Sequence, residues 1–406
     1  MPLEARDRPP LAFWLLLASL ALLPFGIAAE LPVLVGAVVG GVRVIRGRID
    51  WQDRGVRLAL LIGLAYWLPE FVSAWDSLAP GKSWGEVGLD LRFLPFLLLL
   101  ASSHWRARDA RHLVAGVALV TMFWCVDALV QALAGVSLGG PAEADRLSGI
   151  FGAGNLKLGG VLAVLTPFLL WQAWHWDGRR ALALASLALL LVILLAGARA
   201  AWIGFGLAAV LMFWHLLGGR RAALALLVLG LVTVVAGMLA YSGSPRFAER
   251  VERTVAALSI QPDGIDHALT GRTQIWASAW RMGLAHPVNG VGVRAFRVAY
   301  PDFANADDHF LANGEQVLHA HQVVLELWSE TGLFGLCLWL ALVLVAWRQL
   351  RCCALQVRRT ALPASLALAV ALFPFNTHYA VYSAFWGLLL IWLAGVWLAL
   401  LQADQS

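Results

Sequence analysis

Residues 181–217 are apolar almost throughout, and the run is interrupted only by Gly197-Ala198-Arg199. A single helix of this length would extend for about 55 Å, whereas the hydrocarbon layer of a bilayer is about 30 Å thick. The run therefore predicts two membrane helices that reverse direction at Arg199. Only 14% of the chain is charged and 60% is hydrophobic, whereas a soluble domain is about 25% charged. Lipid must be the main solvent of such a chain, and its arginines, scattered between apolar runs, argue against a nucleic-acid partner.

The apolar runs predict an all-α integral membrane protein with about twelve transmembrane helices, since each crossing needs about 20 apolar residues. The runs are 11–27, 29–45, 58–75, 91–103, 113–134, 157–174, 181–197, 201–217, 222–241, 323–347, 361–375 and 379–401. We expect one membrane part over 1–242 and a second over 321–406. Between the ninth and tenth helices, residues 243–320 should form a large and partly helical loop.

The charges of alternate loops predict the orientation. One set of loops, together with both termini, holds 18 of the 30 Lys and Arg residues but only 7 of the 25 Asp and Glu residues. These loops are 43–57, 104–112, 175–180, 218–221 and 348–359. Because basic loops remain in the cytoplasm, both termini should be cytoplasmic. The other set, including 75–90, 135–156, 243–320 and the turn at 376–378, should then face the outside, which for a bacterial inner membrane is the periplasm.

Within the large loop, residues 271–285 have the pattern of a helix that ends at His286-Pro287. Arg272 stands at the start of this helix, where a basic side chain gains nothing from the helix dipole. An anion beyond the helix end would explain its position, since the free N–H groups would also bind the anion. A helix on the membrane surface, with Arg272 against phospholipid, is the alternative. Arg199 has the same alternative, an interfacial arginine that reaches for headgroups.

His321 begins the tenth predicted helix, and helical spacing places it on one face with Leu325, Trp328, Gly332 and Gly335. The two glycines allow a neighbouring helix to approach closely. An imidazole with a pKa near neutrality can accept a proton from a hydroxyl group. A histidine that only caps the helix or lies at the interface is the alternative.

The pair His319 and His321 also raises the question of a metal site. Two residues that are two positions apart on a helix point about 200° away from each other. We therefore expect no metal at this pair.

Further polar residues lie on or near the predicted outer side. Arg146 and Lys157 flank a glycine-rich segment that ends in Asn155. Asp127 and Gln131 lie one helical turn apart within the fifth predicted span. Polar residues within a membrane span usually have a functional or helix-pairing role.

Several motifs resemble the bacterial O-antigen ligases and the related O-antigen polymerases. The ligase pattern is His, then Asn, Ser or Gln, nine residues, Gly, two residues, and then Gly, Thr or Tyr. This chain matches it at His321, Gln322, Gly332 and Gly335. Further segments that resemble the family are GARAAW at 197–202, GRTQIW at 271–276, HP at 286–287 and GVG at 290–292.

The resemblance implies a glycosyltransferase that needs no metal or nucleotide cofactor. It would transfer a glycan from undecaprenyl pyrophosphate to a sugar hydroxyl of the lipid A–core oligosaccharide, with both substrates held in membrane lipid. Arg199 and Arg272 would bind the donor pyrophosphate, Arg146 would be a third phosphate contact, and His321 would be the base or orient the acceptor. Supporting residues on the same side would be Gln322, His319, Asn155 and Lys157.

Other functions remain open at this point. An O-antigen polymerase would use the same donor with a second lipid-linked glycan as the acceptor. A related protein-glycosylating ligase normally carries an additional periplasmic domain, and the short tail after residue 401 argues against it. A transporter of lipids or sugars, which is no enzyme, should show internal repeats and polar residues at mid-bilayer. The polar residues of this chain cluster instead at one face.

Overall fold

The computed structural model describes residues 8–143, 146–243, 248–249, 251–252, 271–377 and 379–403. These residues are helical apart from loops and a hairpin that pairs Val136–Ser137 with Gly140–Pro141. The helices are α1 Leu11–Ala21, α2 Glu30–Ile45, α3 Arg54–Ser73, α4 Pro80–Asp90, α5 Phe93–Ala101, α6 Ala107–Ala134, α7 Lys157–Leu195, α8 Arg199–Leu217, α9 Gly219–Gly243, α10 Arg272–Ala285, α11 Phe296–Phe303, α12 His309–Ala312, α13 Val323–Cys352, α14 Leu355–Ala371 and α15 Ala384–Gln402.

Eight helical stretches of the described residues are long and apolar enough to cross a membrane. They are Leu23–Ile45, Arg54–Ser73, Ala107–Ala134, Lys157–Leu195, Arg199–Leu217, Gly219–Gly243, Val323–Cys352 and Ala384–Gln402. The prediction of an all-α, multi-pass membrane protein is therefore confirmed. Twelve crossings remain a prediction, because other apolar runs form shorter helices such as α1, α5 and α14. Two predicted runs also lie in α7, whose backbone leaves the helical conformation at Asp177 and Gly178.

Hydrogen bonds join segments that are predicted to lie on the same side of the membrane. At the end predicted to be cytoplasmic, Arg43 donates a hydrogen bond of 3.0 Å to the carbonyl oxygen of Ser102. At the other end, the N–H of Leu78 donates to the carbonyl oxygen of Val291 at 3.0 Å. This bond joins the loop after α3 to the large loop over 243–320. The segments predicted to lie outside the membrane on the same side thus contact one another, and their periplasmic orientation remains a prediction.

Gly332 interrupts α13, and its backbone has φ 62° and ψ −161°. Just beyond this break, the N–H of Leu333 donates to the carbonyl oxygen of Pro287 at 2.9 Å, and the N–H of Phe334 donates to that of Val288 at 3.0 Å. The break frees backbone groups of the helix to pair with the loop that follows α10. The large loop is therefore joined to α13 by main-chain hydrogen bonds.

Replacing Gly332 with alanine should lower the free energy of unfolding by about 2–5 kcal/mol, the sum of left-handed strain and overpacking. A Cβ at this position would lie 2.5 Å from the carbonyl carbon of Val288, in a backbone conformation that alanine rarely adopts. The loss can be measured as a fall in the unfolding temperature of the purified protein. Gly178→Ala is the matched control, because Gly178 also has a positive φ of 56° but no heavy atom within 4 Å of an added Cβ. Equal losses in the two variants would contradict the packing argument.

Candidate functional site

Thr377 joins Arg272 and His321, which come from distant parts of the chain. Nη1 of Arg272 donates a hydrogen bond of 2.9 Å to Oγ1 of Thr377. Nδ1 of His321 lies 3.1 Å from the carbonyl oxygen of Thr377. Because a carbonyl oxygen can only accept, this bond requires the proton of the neutral imidazole to be on Nδ1. The other ring nitrogen, Nε2, is then the one that can accept a proton.

His321 lies just before α13 rather than on it. Its backbone is left-handed, with φ 54°, and Gln322 is the N-cap of the helix, with a side chain that accepts a hydrogen bond from the N–H of Leu325. The prediction that His321 shares a helix face with Gly332 is therefore wrong. Helical spacing does not apply, because the helix begins only at Val323.

The rings of His319 and His321 contact each other, with centroids 3.9 Å apart. The N–H of His321 also donates to Nδ1 of His319 at 3.2 Å. The prediction that these side chains point away from each other is wrong, because His319 and His321 do not lie on a helix. In the part of the chain that the structure describes, no three His, Cys, Asp or Glu side chains form a group that could hold a metal ion.

Burial and positive charge keep the two histidines neutral. Burial, and then the charge of Arg272, lower the pKa of His321 to about 4, although its hydrogen bond to Thr377 acts in the opposite direction. Burial is also the main reason why the pKa of His319 lies well below its usual value. His321 is therefore in its proton-accepting form at neutral pH, as a general base must be.

Arg199 and Arg272 are close enough to influence each other. The pKa of Arg272 is lowered by burial and then by the positive charge of Arg199. Each arginine is also the first residue of its helix, and neither N-cap residue, Ala198 or Gly271, caps its helix with a side chain. Two guanidinium groups and two helix N-termini together favour binding of a multiply charged anion.

Glu326 holds the chain shortly after Thr377. Its carboxylate accepts hydrogen bonds from the N–H of Val381 at 3.0 Å and from the N–H of Tyr382 at 3.4 Å. Sequence reasoning missed both Glu326 and Thr377. A buried charge within an apolar run was the available signal for Glu326, whereas Thr377 carries none. His378, part of the predicted outer turn, lies outside the described residues.

The remaining predicted residues lie around the glycine-rich segment before α7. The amide of Asn155 accepts a hydrogen bond of 3.1 Å from the N–H of Lys157 and donates one of 3.2 Å to the carbonyl oxygen of Phe151. The ammonium group of Lys157 lies 4.2 Å from the ring centroid of Phe385, and Arg146 forms a backbone bridge with Glu143. These contacts hold the segment itself together, and none of them joins Asn155 or Lys157 to Thr377.

Gln131 and Asp127 anchor the same outer region from within α6. The side-chain oxygen of Gln131 accepts hydrogen bonds of 3.0 and 2.8 Å from the N–H groups of Ser148 and Gly149. Oδ1 of Asp127 accepts one of 2.9 Å from the N–H of Leu138. These polar residues in an apolar span therefore hold a loop in place.

Comparison with known families gives one match. Residues 184–340 match the family described as O-antigen ligase. The matched region includes Arg199, Arg272, His319 and His321 and ends before Thr377. No curated protein matches the chain.

Proposed function

Because residues 184–340 are a domain of the O-antigen ligase family, a family of glycosyltransferases, we propose that this chain ligates O-antigen glycan from undecaprenyl pyrophosphate onto lipid A–core oligosaccharide. The observation that carries the proposal is that Arg272 and His321 meet at Thr377, with Arg199 close to Arg272. An anion-binding pair and a neutral base next to each other suit a reaction in which a sugar hydroxyl displaces a diphosphate.

In this proposal Arg199 and Arg272 bind the donor diphosphate. Guanidinium groups donate hydrogen bonds to phosphate oxygens in pairs, and the two helix N-termini add favourable dipoles. The negative charge on the bridging oxygen grows as the glycosidic bond breaks, so these groups stabilise the transition state more than the bound donor. Arg199 follows a short turn and Arg272 follows Gly271, and we place both arginines at the periplasmic face.

His321 is the proposed base. Its Nε2 takes the proton of the acceptor hydroxyl, and the hydroxyl oxygen forms the new bond to the anomeric carbon. The bond from that carbon to the diphosphate breaks, and its electron pair leaves with undecaprenyl pyrophosphate. An attack opposite the leaving group predicts inversion at the anomeric carbon. The hydrogen bond from Nδ1 to the carbonyl oxygen of Thr377 orients the ring and leaves Nε2 available to accept this proton.

Reconstitution of the purified protein with the two lipid-linked substrates tests the proposal. We expect ligated lipid A–core in a buffer with EDTA and without nucleotide, because the arginines take the part that a metal ion plays in other glycosyltransferases. An elongated donor would show a polymerase instead. Movement of the glycan across the bilayer without a new bond would show a transporter and contradict the proposal.

A further inference from the structure

Two residues other than glycine have a left-handed backbone in the described part of the chain, His321 with φ 54° and Arg294 with φ 60°. Such strained residues cluster at functional sites, because the surrounding structure must hold them in place. Both lie close to His319, whose pKa is lowered by burial and then by His321, Arg294, Arg272 and Arg297, in that order. A second pair of arginines, Arg294 and Arg297, therefore lies near the same histidines.

The backbone of Arg294 is held by buried side chains. One carboxylate oxygen of Glu330 accepts the N–H of Arg294 at 3.0 Å, and the other accepts the N–H of Phe296 at 3.3 Å. The neighbouring N–H of Val293 donates to Oγ of Ser73 at 3.1 Å. Side chains of α3 and α13 thus converge on one turn, and they compensate for the strain at Arg294.

The guanidinium groups of this pair are only partly neutralised. Nε of Arg294 lies 3.8 Å from a carboxylate oxygen of Glu86, which is too long for a hydrogen bond. Burial raises the pKa of Glu86 to about 7, so a substantial fraction of this carboxyl group is uncharged at neutral pH. Nε of Arg297 is buried and has no hydrogen-bond partner among the residues that the structure describes. A buried donor of this kind is unfavourable unless a ligand or water satisfies it.

The two arginine pairs differ in their surroundings. The pKa of Arg272 is lowered by burial and by the positive charge of Arg199. The pKa of Arg297 is lowered by burial and by Arg294, but Glu330 and Glu86 counteract this. The first pair therefore suits a diphosphate, whereas the second, beside carboxylates, suits an anion of lower charge.

We propose that Arg294 and Arg297 bind a phosphate or carboxylate group of the acceptor glycan while Arg199 and Arg272 bind the donor diphosphate. This inference rests on the proposed function, because it requires an acceptor that is a charged oligosaccharide. The arrangement would hold the acceptor next to His321 by an anionic group away from the reacting hydroxyl. It would also select a charged core over a neutral sugar.

The test compares acceptors in neutral phosphatidylcholine nanodiscs. The probes are purified lipid A–core, the same material after phosphatase treatment, and the same material with its carboxylates amidated. For the wild type, removal of the recognised group should raise the acceptor KM about ten- to a hundredfold, the range for a charge-assisted hydrogen bond. Comparison of the phosphatase-treated and the amidated acceptors shows whether the protein recognises a phosphate or a carboxylate group. Arg297→Gln should raise the KM of the untreated acceptor by a similar factor and leave the donor KM unchanged. Removal of the recognised group should then have no further effect on the acceptor KM of this variant.

Arg281→Gln is the matched control, since Arg281 belongs to the same loop but donates to the carbonyl oxygen of Phe303 and to Ser278. It should keep the wild-type sensitivity to acceptor charge. If Arg297→Gln does not fold, Arg297→Lys provides the same comparison, with a smaller change. A rise in donor KM instead of acceptor KM, or equal sensitivity to acceptor charge in Arg297→Gln and the wild type, would overturn the inference. Absence of ligation by the wild type would overturn the proposed function itself.

Discussion

Replacing His321 with asparagine is expected to lower kcat for glycan transfer by a factor of about 10²–10⁴, the usual contribution of a general base. Asparagine tolerates the left-handed backbone of this position better than most residues, so the fold should survive. Its amide cannot take a proton from the acceptor. The acceptor hydroxyl would then have to attack without being deprotonated, and the donor would still bind.

The pH profile of the wild type gives a second measurement of the same role. Because the pKa of His321 is lowered to about 4, the ring is neutral above that pH and charged below it. Transfer should therefore stay constant from pH 8 down to about pH 5 and fall only as the ring becomes protonated. His286→Asn is a suitable control for His321→Asn, since His286 ends α10 and packs against the ring of Phe303. A His321→Asn variant with wild-type kcat, or a loss of rate already near pH 6.5, would contradict the role.

Replacing Arg272 with lysine should lower kcat/KM for the lipid-linked donor by a factor of about 10²–10³, as expected for the loss of one donor to a developing negative charge. Lysine keeps the charge but presents a single ammonium group in place of a planar fork. It cannot hold Oγ1 of Thr377 and a phosphate oxygen with the geometry of Arg272. The turn that orients His321 would loosen at the same time.

Initial rates at varied donor concentration, with acceptor saturating, measure this loss. The control is Arg281→Lys, which makes the same chemical change in the same helix at an arginine that donates to the carbonyl oxygen of Phe303 and to Ser278. Its kcat/KM should stay within about twofold of the wild type, as for most surface changes. Equal behaviour of the two variants would show that Arg272 does not contact the donor.

The sequence predicts the architecture well because lipid leaves the backbone few options. A chain in hydrocarbon must satisfy its N–H and C=O groups internally, so apolar runs become helices. The helix predicted over 271–285 is found at Arg272–Ala285, where Ile275, Ala279 and Met282 are buried. These features follow from local periodicity, which can be read from the sequence directly.

The details of the site could not be predicted in the same way. The periodicity of the sequence places His321 on a helix face. Periodicity does not show where the helix begins, and the helix begins only after His321. Thr377 acts through its carbonyl oxygen as much as through its side chain, and a carbonyl oxygen leaves no trace in residue type. Arg294 and Arg297 look like ordinary loop arginines until the strained backbone and the partners of Glu330 are known.

The glycine motifs show how the two kinds of information combine. The sequence singles out Gly290-Val291-Gly292 as a family-like segment and Gly332 as a site of close approach, but it does not show that these two features touch. An added Cβ at Gly290 would meet the backbone of Glu330, and one at Gly332 would meet that of Val288. The two motifs are two sides of one contact.

The main-chain bonds at the break in α13 also limit how the protein can move. Residues 287–292 are bonded to residues 329–334 on both sides of Gly332, so we expect this part of the loop and the membrane helix to move together. His321, the proposed base, and the second arginine pair adjoin these segments and should keep their spacing when the segments move. Entry of a bulky lipid-linked sugar and exit of the product should therefore depend on motions of the surrounding helices.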